Sequence, residues 1–61
     1  LGMSLWYTGT EEYLEGRNCP VFVLGTDHED HFTKENYYAV GDNVVYYYDA
    51  IGDAWLLLGA G

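Results

Sequence analysis

Five short apolar runs punctuate this chain, with turn-forming residues between them. They read Leu5-Trp6-Tyr7, Val21-Phe22-Val23-Leu24, Tyr37-Tyr38-Ala39-Val40, Val44-Val45-Tyr46-Tyr47-Tyr48 and Ala54-Trp55-Leu56-Leu57-Leu58. Val, Tyr, Phe, Trp and Thr dominate them, and these residues suit a pleated, half-buried surface. No long Ala/Leu/Glu/Lys stretch offers a helical bundle. The spacing therefore predicts a mostly β chain of four or five short strands, as a small barrel or a curled antiparallel sheet. With 61 residues, the chain is one domain over residues 1–61, near the lower size limit for folding without disulfides or metal.

Turn chemistry places the boundaries. Gly41-Asp42-Asn43 is a strong turn signal, and Asp49-Ala50-Ile51-Gly52-Asp53 returns Val44–Tyr48 onto Ala54–Leu58 as a hairpin. Pro20 is tolerated at the start of a strand. Thr10-Glu11-Glu12-Tyr13-Leu14-Glu15-Gly16 has a capping Thr, acids in the first turn and a stopping Gly. It predicts at most one short helical turn, with a long structured loop as the competing reading. Thr26–His31 is polar and acidic and reads as a surface loop or a single turn. The last two strands are apolar on both faces. A sheet of that kind needs cover from a loop, a second copy of the chain or a partner.

Charge excludes more than it names. Ten carboxylates face only Arg17 and Lys34, a net charge of −8. A nucleic-acid binder needs cations to neutralise phosphates, so direct nucleic-acid binding is not expected. The same field repels anionic membranes and attracts basic protein surfaces. No apolar run approaches the ~20 residues of a membrane span, and no signal-peptide pattern opens the chain. Cys19 stands alone, which excludes an internal disulfide and favours a reducing, cytoplasmic setting. Met3 is a candidate native start, with Leu1 and Gly2 as a cloning remnant.

Ala39-Val40-Gly41-Asp42-Asn43-Val44-Val45 through Trp55-Leu56-Leu57 resembles the middle of an SH3-like barrel. In that family a Gly-Asp turn opens the central hairpin and a Trp starts the next strand. The resemblance covers about a third of the chain and implies a small SH3-like barrel. The Ala-Leu-Tyr-Asp-Tyr opening of the peptide-binding members is absent, although Leu5-Trp6-Tyr7 sits in a similar place. Their late Pro and Tyr are also missing, so the resemblance implies nothing about ligand.

Candidate sites each carry a plain alternative. His28 and His31, with carboxylates between them, could hold a divalent cation if Cys19 or Glu35 joined; a solvated acidic loop is the simpler reading. Their spacing is one residue short of the His-Glu-x-x-His motif of zinc peptidases. Carboxylates nearby favour protonated His and hint at pH sensitivity. Cys19 reads as a small buried hydrophobe rather than a reactive thiol. Tyr37, Tyr38, Tyr46, Tyr47 and Tyr48 either form an interface or wall a small core. No paired nucleophile and base, phosphate loop or room for a pocket supports an enzyme, and no cofactor is expected.

The acids fall into three groups: Glu11, Glu12 and Glu15; Asp27, Glu29, Asp30 and Glu35; and Asp42, Asp49 and Asp53. Solubility charge is the ordinary explanation. The ten-to-two imbalance favours a docking role, as in the small acidic nucleic-acid mimics with which phages and plasmids inhibit host proteins. The expected function is thus a protein-binding inhibitor or adaptor on a basic partner surface. The contact residues expected are Glu11, Glu12, Glu15, Asp27, Glu29, Asp30, Glu35, Tyr37 and Tyr38. The alternative is a self-associating accessory β module, a homo-oligomer joined through an unpaired strand edge and the two-faced final hairpin.

Overall fold

The computed structural model describes residues 2–60; Leu1, part of the suggested remnant, lies outside them. The chain forms one antiparallel meander: β1 (Gly2–Leu14), β2 (Arg17–Asp27), β3 (Phe32–Gly41), β4 (Val44–Asp49) and β5 (Ala54–Ala60). Strand order in space equals strand order in sequence, and no helix occurs among the described residues. β1 and β5 are the two edges and do not pair with each other, so the sheet curls without closing into a barrel. Of the two expected architectures, the curled sheet is the one formed.

The Thr10–Gly16 expectation is corrected. Thr10 to Leu14 continue β1, pairing Glu11 with Pro20, Glu12 with Cys19 and Leu14 with Arg17. Glu15 (φ 51°) and Gly16 (φ 84°) close this hairpin with both central residues left-handed, the geometry whose twist matches the flanking strands. A capping Thr and early acids favour a helix only locally. The ladder to β2 pairs the backbone groups on one side of this segment across its whole length, which outweighs the few bonds of one isolated turn. Asp42 and Asn43 form the expected β3–β4 turn, with Asn43 at φ 57°. His28–His31 form the loop between β2 and β3, closed by the His28 N–H donating to the His31 carbonyl at 2.9 Å.

Three bulges shape the sheet. In β1, Thr8, Gly9 and Thr10 stand against Val21 alone, with Gly9 at φ 84°. Thr8 braces that bulge: its hydroxyl donates to the Val21 carbonyl at 2.9 Å and accepts from the Thr10 N–H at 3.2 Å. Glu35 is the extra residue of β3 and Leu58 that of β5. Bulges raise local twist and bend the strand that carries them.

β2 alternates strictly. Cys19, Val21, Val23 and Gly25 are buried, whereas Pro20, Phe22 and Leu24 between them are half-buried on the opposite face. The inner face gathers Cys19, Val21, Ala39 and Tyr46, with Leu14, Tyr37, Val44 and Trp55 packed against them. The curl is tight there. A Cβ at Gly41 would lie 2.9 Å from Arg17 Cδ and from Val44 Cγ2, so any larger residue would have to displace both side chains. Gly25 is stricter: a Cβ would fall 2.4 Å from both the Phe32 ring and the Thr33 carbonyl. Phe32 fills that notch and meets Trp6 edge-on at 6.0 Å between ring centroids.

The molecule is elongated. Its radius of gyration is 12.3 Å, against about 10–11 Å for a compact chain of this length. The single layer explains this, because the chain has no second layer to fold onto the first.

Candidate interaction surface

The register lines up residues far apart in sequence. On the outer face Tyr7 pairs with Phe22, Phe22 with Tyr38, Tyr38 with Tyr47, and Tyr47 with Leu56. One row of four aromatic rings and a leucine thus crosses all five strands. At the usual strand spacing it is about 19 Å wide. Leu5 and Leu24 flank it toward one end, and Val40 and Val45 toward the other. Among the described residues, no second layer covers this face. Tyr7 keeps 55% of its surface exposed and Leu5 58%. Neighbours support one another sideways, as in the Tyr7–Phe22 contact at 5.6 Å between centroids.

Carboxylates sit at the ends of the sheet. Glu11, Glu12 and Glu15 approach the end that also holds the Asp42–Asn43 turn, where Arg17 donates to the Asp42 carbonyl at 3.4 Å. Asp27, Glu29, Asp30 and Glu35 occupy the other end, around the His28–His31 loop. β2 runs between the two groups and separates them by on the order of 30 Å. The expected contact residues therefore form two clusters rather than one patch. Asp49 and Asp53 flank the β4–β5 turn.

Several of these acids already have partners. Tyr46 donates its hydroxyl to Glu15, two strands away across the inner face, and thereby pins the curl. Ser4 donates to Asp27 and Tyr48 to Asp53. Thr26 donates to Glu35 at 3.1 Å, and Asp30 holds His31 Nδ1 at 2.7 Å. The hydrogen bond to Glu15 is the main reason that the Tyr46 phenol is pushed above its ordinary value; burial and the Glu15 charge add to it. Tyr48 is raised in the same way, first by its bond to Asp53 and then by burial. Glu11, Glu12 and Glu29 are exposed and make no side-chain hydrogen bond among the described residues.

The tyrosines divide as strand alternation requires. Tyr37, Tyr46 and Tyr48 face inward, with Tyr48 against Trp55 at 5.3 Å between centroids. Tyr38 and Tyr47 face outward in the aromatic row. Tyr37 and Tyr38, expected together at a contact, thus lie on opposite faces. Tyr7, Phe22 and Leu56 were not among the expected contact residues. The apolar character of both faces of β2 and β5 was legible, but the register joining positions 7, 22, 38, 47 and 56 is a tertiary fact.

His28 and His31 stack their rings at 4.3 Å between centroids, 13° from parallel. Cys19 is fully buried in the other half of β2, and Glu35 is held by Thr26. Among the described residues, no three His, Cys, Asp or Glu side chains converge as a metal site. No helix among them is long and apolar enough to cross a membrane. No family model, curated protein or solved structure matches the chain.

Proposed function

We propose that this chain is a protein-docking module, acting as an inhibitor or adaptor on a partner whose apolar contact surface is bordered by Lys and Arg. The observation that carries this reading is the uncovered aromatic row Tyr7–Phe22–Tyr38–Tyr47–Leu56, with carboxylates at both ends of its sheet and no Lys or Arg within it. Tyrosine and phenylalanine supply large contact area at little entropic cost, and contacts of this kind dominate binding energy. The end carboxylates would steer a basic partner and set its orientation. The molecule extends 39 by 23 by 21 Å, so its outer face is on the scale of the ~800 Å² that each partner buries in a standard interface. A basic surface that normally receives nucleic acid would be blocked competitively.

The test is affinity capture from a host lysate with three proteins: the parent chain, Tyr38→Ser, and the triple change Glu29→Lys, Asp30→Lys, Glu35→Lys. A partner lost to both variants, and released as salt rises from about 0.05 M to about 0.5 M, supports the proposal. A partner that both variants retain contradicts it.

A further inference from the structure

We infer that the first half of β1 is a self-pairing edge, at which two copies of the chain join antiparallel into one continuous ten-stranded sheet. β1 pairs only with β2, so its other side offers unpaired backbone N–H and C=O groups. The bulge at Thr8–Thr10 limits the regular edge to Gly2–Tyr7. Natural edges of this length are normally guarded by Lys, Pro, an inward charge or a covering loop. This one has no such charge or proline, and its bulge lies beyond Tyr7: Gly2–Thr10 contains no charged residue and no proline. Its side chains are apolar on both faces and open. Met3, Leu5 and Tyr7 project to the outer face and Trp6 to the inner, each more than half exposed.

Charge selects the occupant. At −8, two copies repel wherever their carboxylates meet. Both ends of the sheet and the turn beside β5, with Asp49 and Asp53, are such places. The Gly2–Tyr7 edge is not, because it carries no acid of its own and Asp27 stands on β2, one strand back and opposite Gly2 at the end of the run. A basic partner gains nothing from a neutral edge, whereas a second neutral strand satisfies it fully. The chain carries that strand. Pairing about a two-fold axis beside Leu5, the centre of the Met3–Tyr7 run, sets Leu5 against its own copy. Met3 then lies opposite Tyr7, and Ser4 opposite Trp6. Such an isologous contact closes as a dimer. It leaves the aromatic row free and extends it into a second copy on the same side, so the inference stands whether or not the docking proposal holds.

Sedimentation equilibrium of the purified chain tests it. The expected result is a monomer–dimer equilibrium that tightens with added salt, the reverse of the response expected for a basic partner. Leu5→Lys and Leu5→Asp should each weaken the dimer by roughly tenfold or more, and mixing the two should restore it as a heterodimer. Leu5 is exposed, and circular dichroism reports whether each variant keeps its sheet. Independently of those variants, Leu5→Cys should cross-link between copies under mild oxidation, because a disulfide needs Cβ atoms within about 4 Å. Leu58→Cys on the opposite edge should not. A chain that stays monomeric at about 1 mM overturns the inference. So does open-ended polymer growth, which would mean β1 pairing with β5 of the next copy, and so does cross-linking through Leu58→Cys instead of Leu5→Cys.

Discussion

Gly25 and Gly9 are both glycines in strands, yet they are required for different reasons. Gly9 has open space around it and is held at φ 84°, so glycine is required there by the left-handed backbone alone. Gly25 has ordinary backbone geometry, but the Phe32 ring and the Thr33 carbonyl occupy the place of a Cβ. Gly25→Ala should therefore cost at least ~1–3 kcal/mol as overpacking, read as a lower urea midpoint. Tyr46 is the second decisive residue. Its phenol is raised in the folded state by its bond to Glu15, so folding favours the protonated form. That contribution is complete below the unfolded phenol value of about 10, and it is lost as pH rises through the higher folded value. The parent chain should accordingly lose stability with rising pH above about 10. Tyr46→Phe should start less stable at neutral pH and show a shallower alkaline decline in the same urea titration. The Tyr48–Asp53 bond acts with the same sign and remains in that variant.

Among the elements, the bulge in β1 does most to separate this sheet from a flat one. Thr8 is the centre of its side-chain brace: its hydroxyl bonds the Val21 carbonyl, the Thr10 N–H and the Thr10 hydroxyl. Thr8→Val keeps the shape and removes all three bonds, and should cost at least about 0.5–1.5 kcal/mol in urea unfolding. The hairpin of β4 and β5 and the Asp42–Asn43 turn were legible in the sequence, because β-branched and aromatic runs stand between residues that tolerate turn geometry. The Thr10–Gly16 stretch was not. Its local pattern of Thr, Glu, Glu and a later Gly matches a helix start and stop, and only pairing with Arg17–Pro20 makes it a strand. The candidate surface was half legible. Alternation in Val21–Leu24 and Val44–Tyr48 announces two apolar faces. The bulges at Glu35 and Leu58, which shift register without any local signal, decide which residues share a row.

For the whole molecule, a single-layer sheet with −8 net charge leaves one face for association and keeps its carboxylates at the ends. The chain spends its small core on the inner face, where Cys19, Val21, Ala39 and Tyr46 pack. What remains outside is the aromatic row, the contact surface of the proposed docking. Hydroxyl-radical footprinting of the free chain and of its captured complex tests this most directly. In the free chain Tyr7, Phe22 and Leu56 should label readily, whereas buried Cys19 and Tyr46 should not. In the complex Tyr7, Phe22, Tyr38, Tyr47 and Leu56 should lose labelling together, with Trp55 and Leu57 on the inner side unchanged. Protection confined to Trp55, Leu57 and Trp6, with the outer row still labelled, would contradict the account.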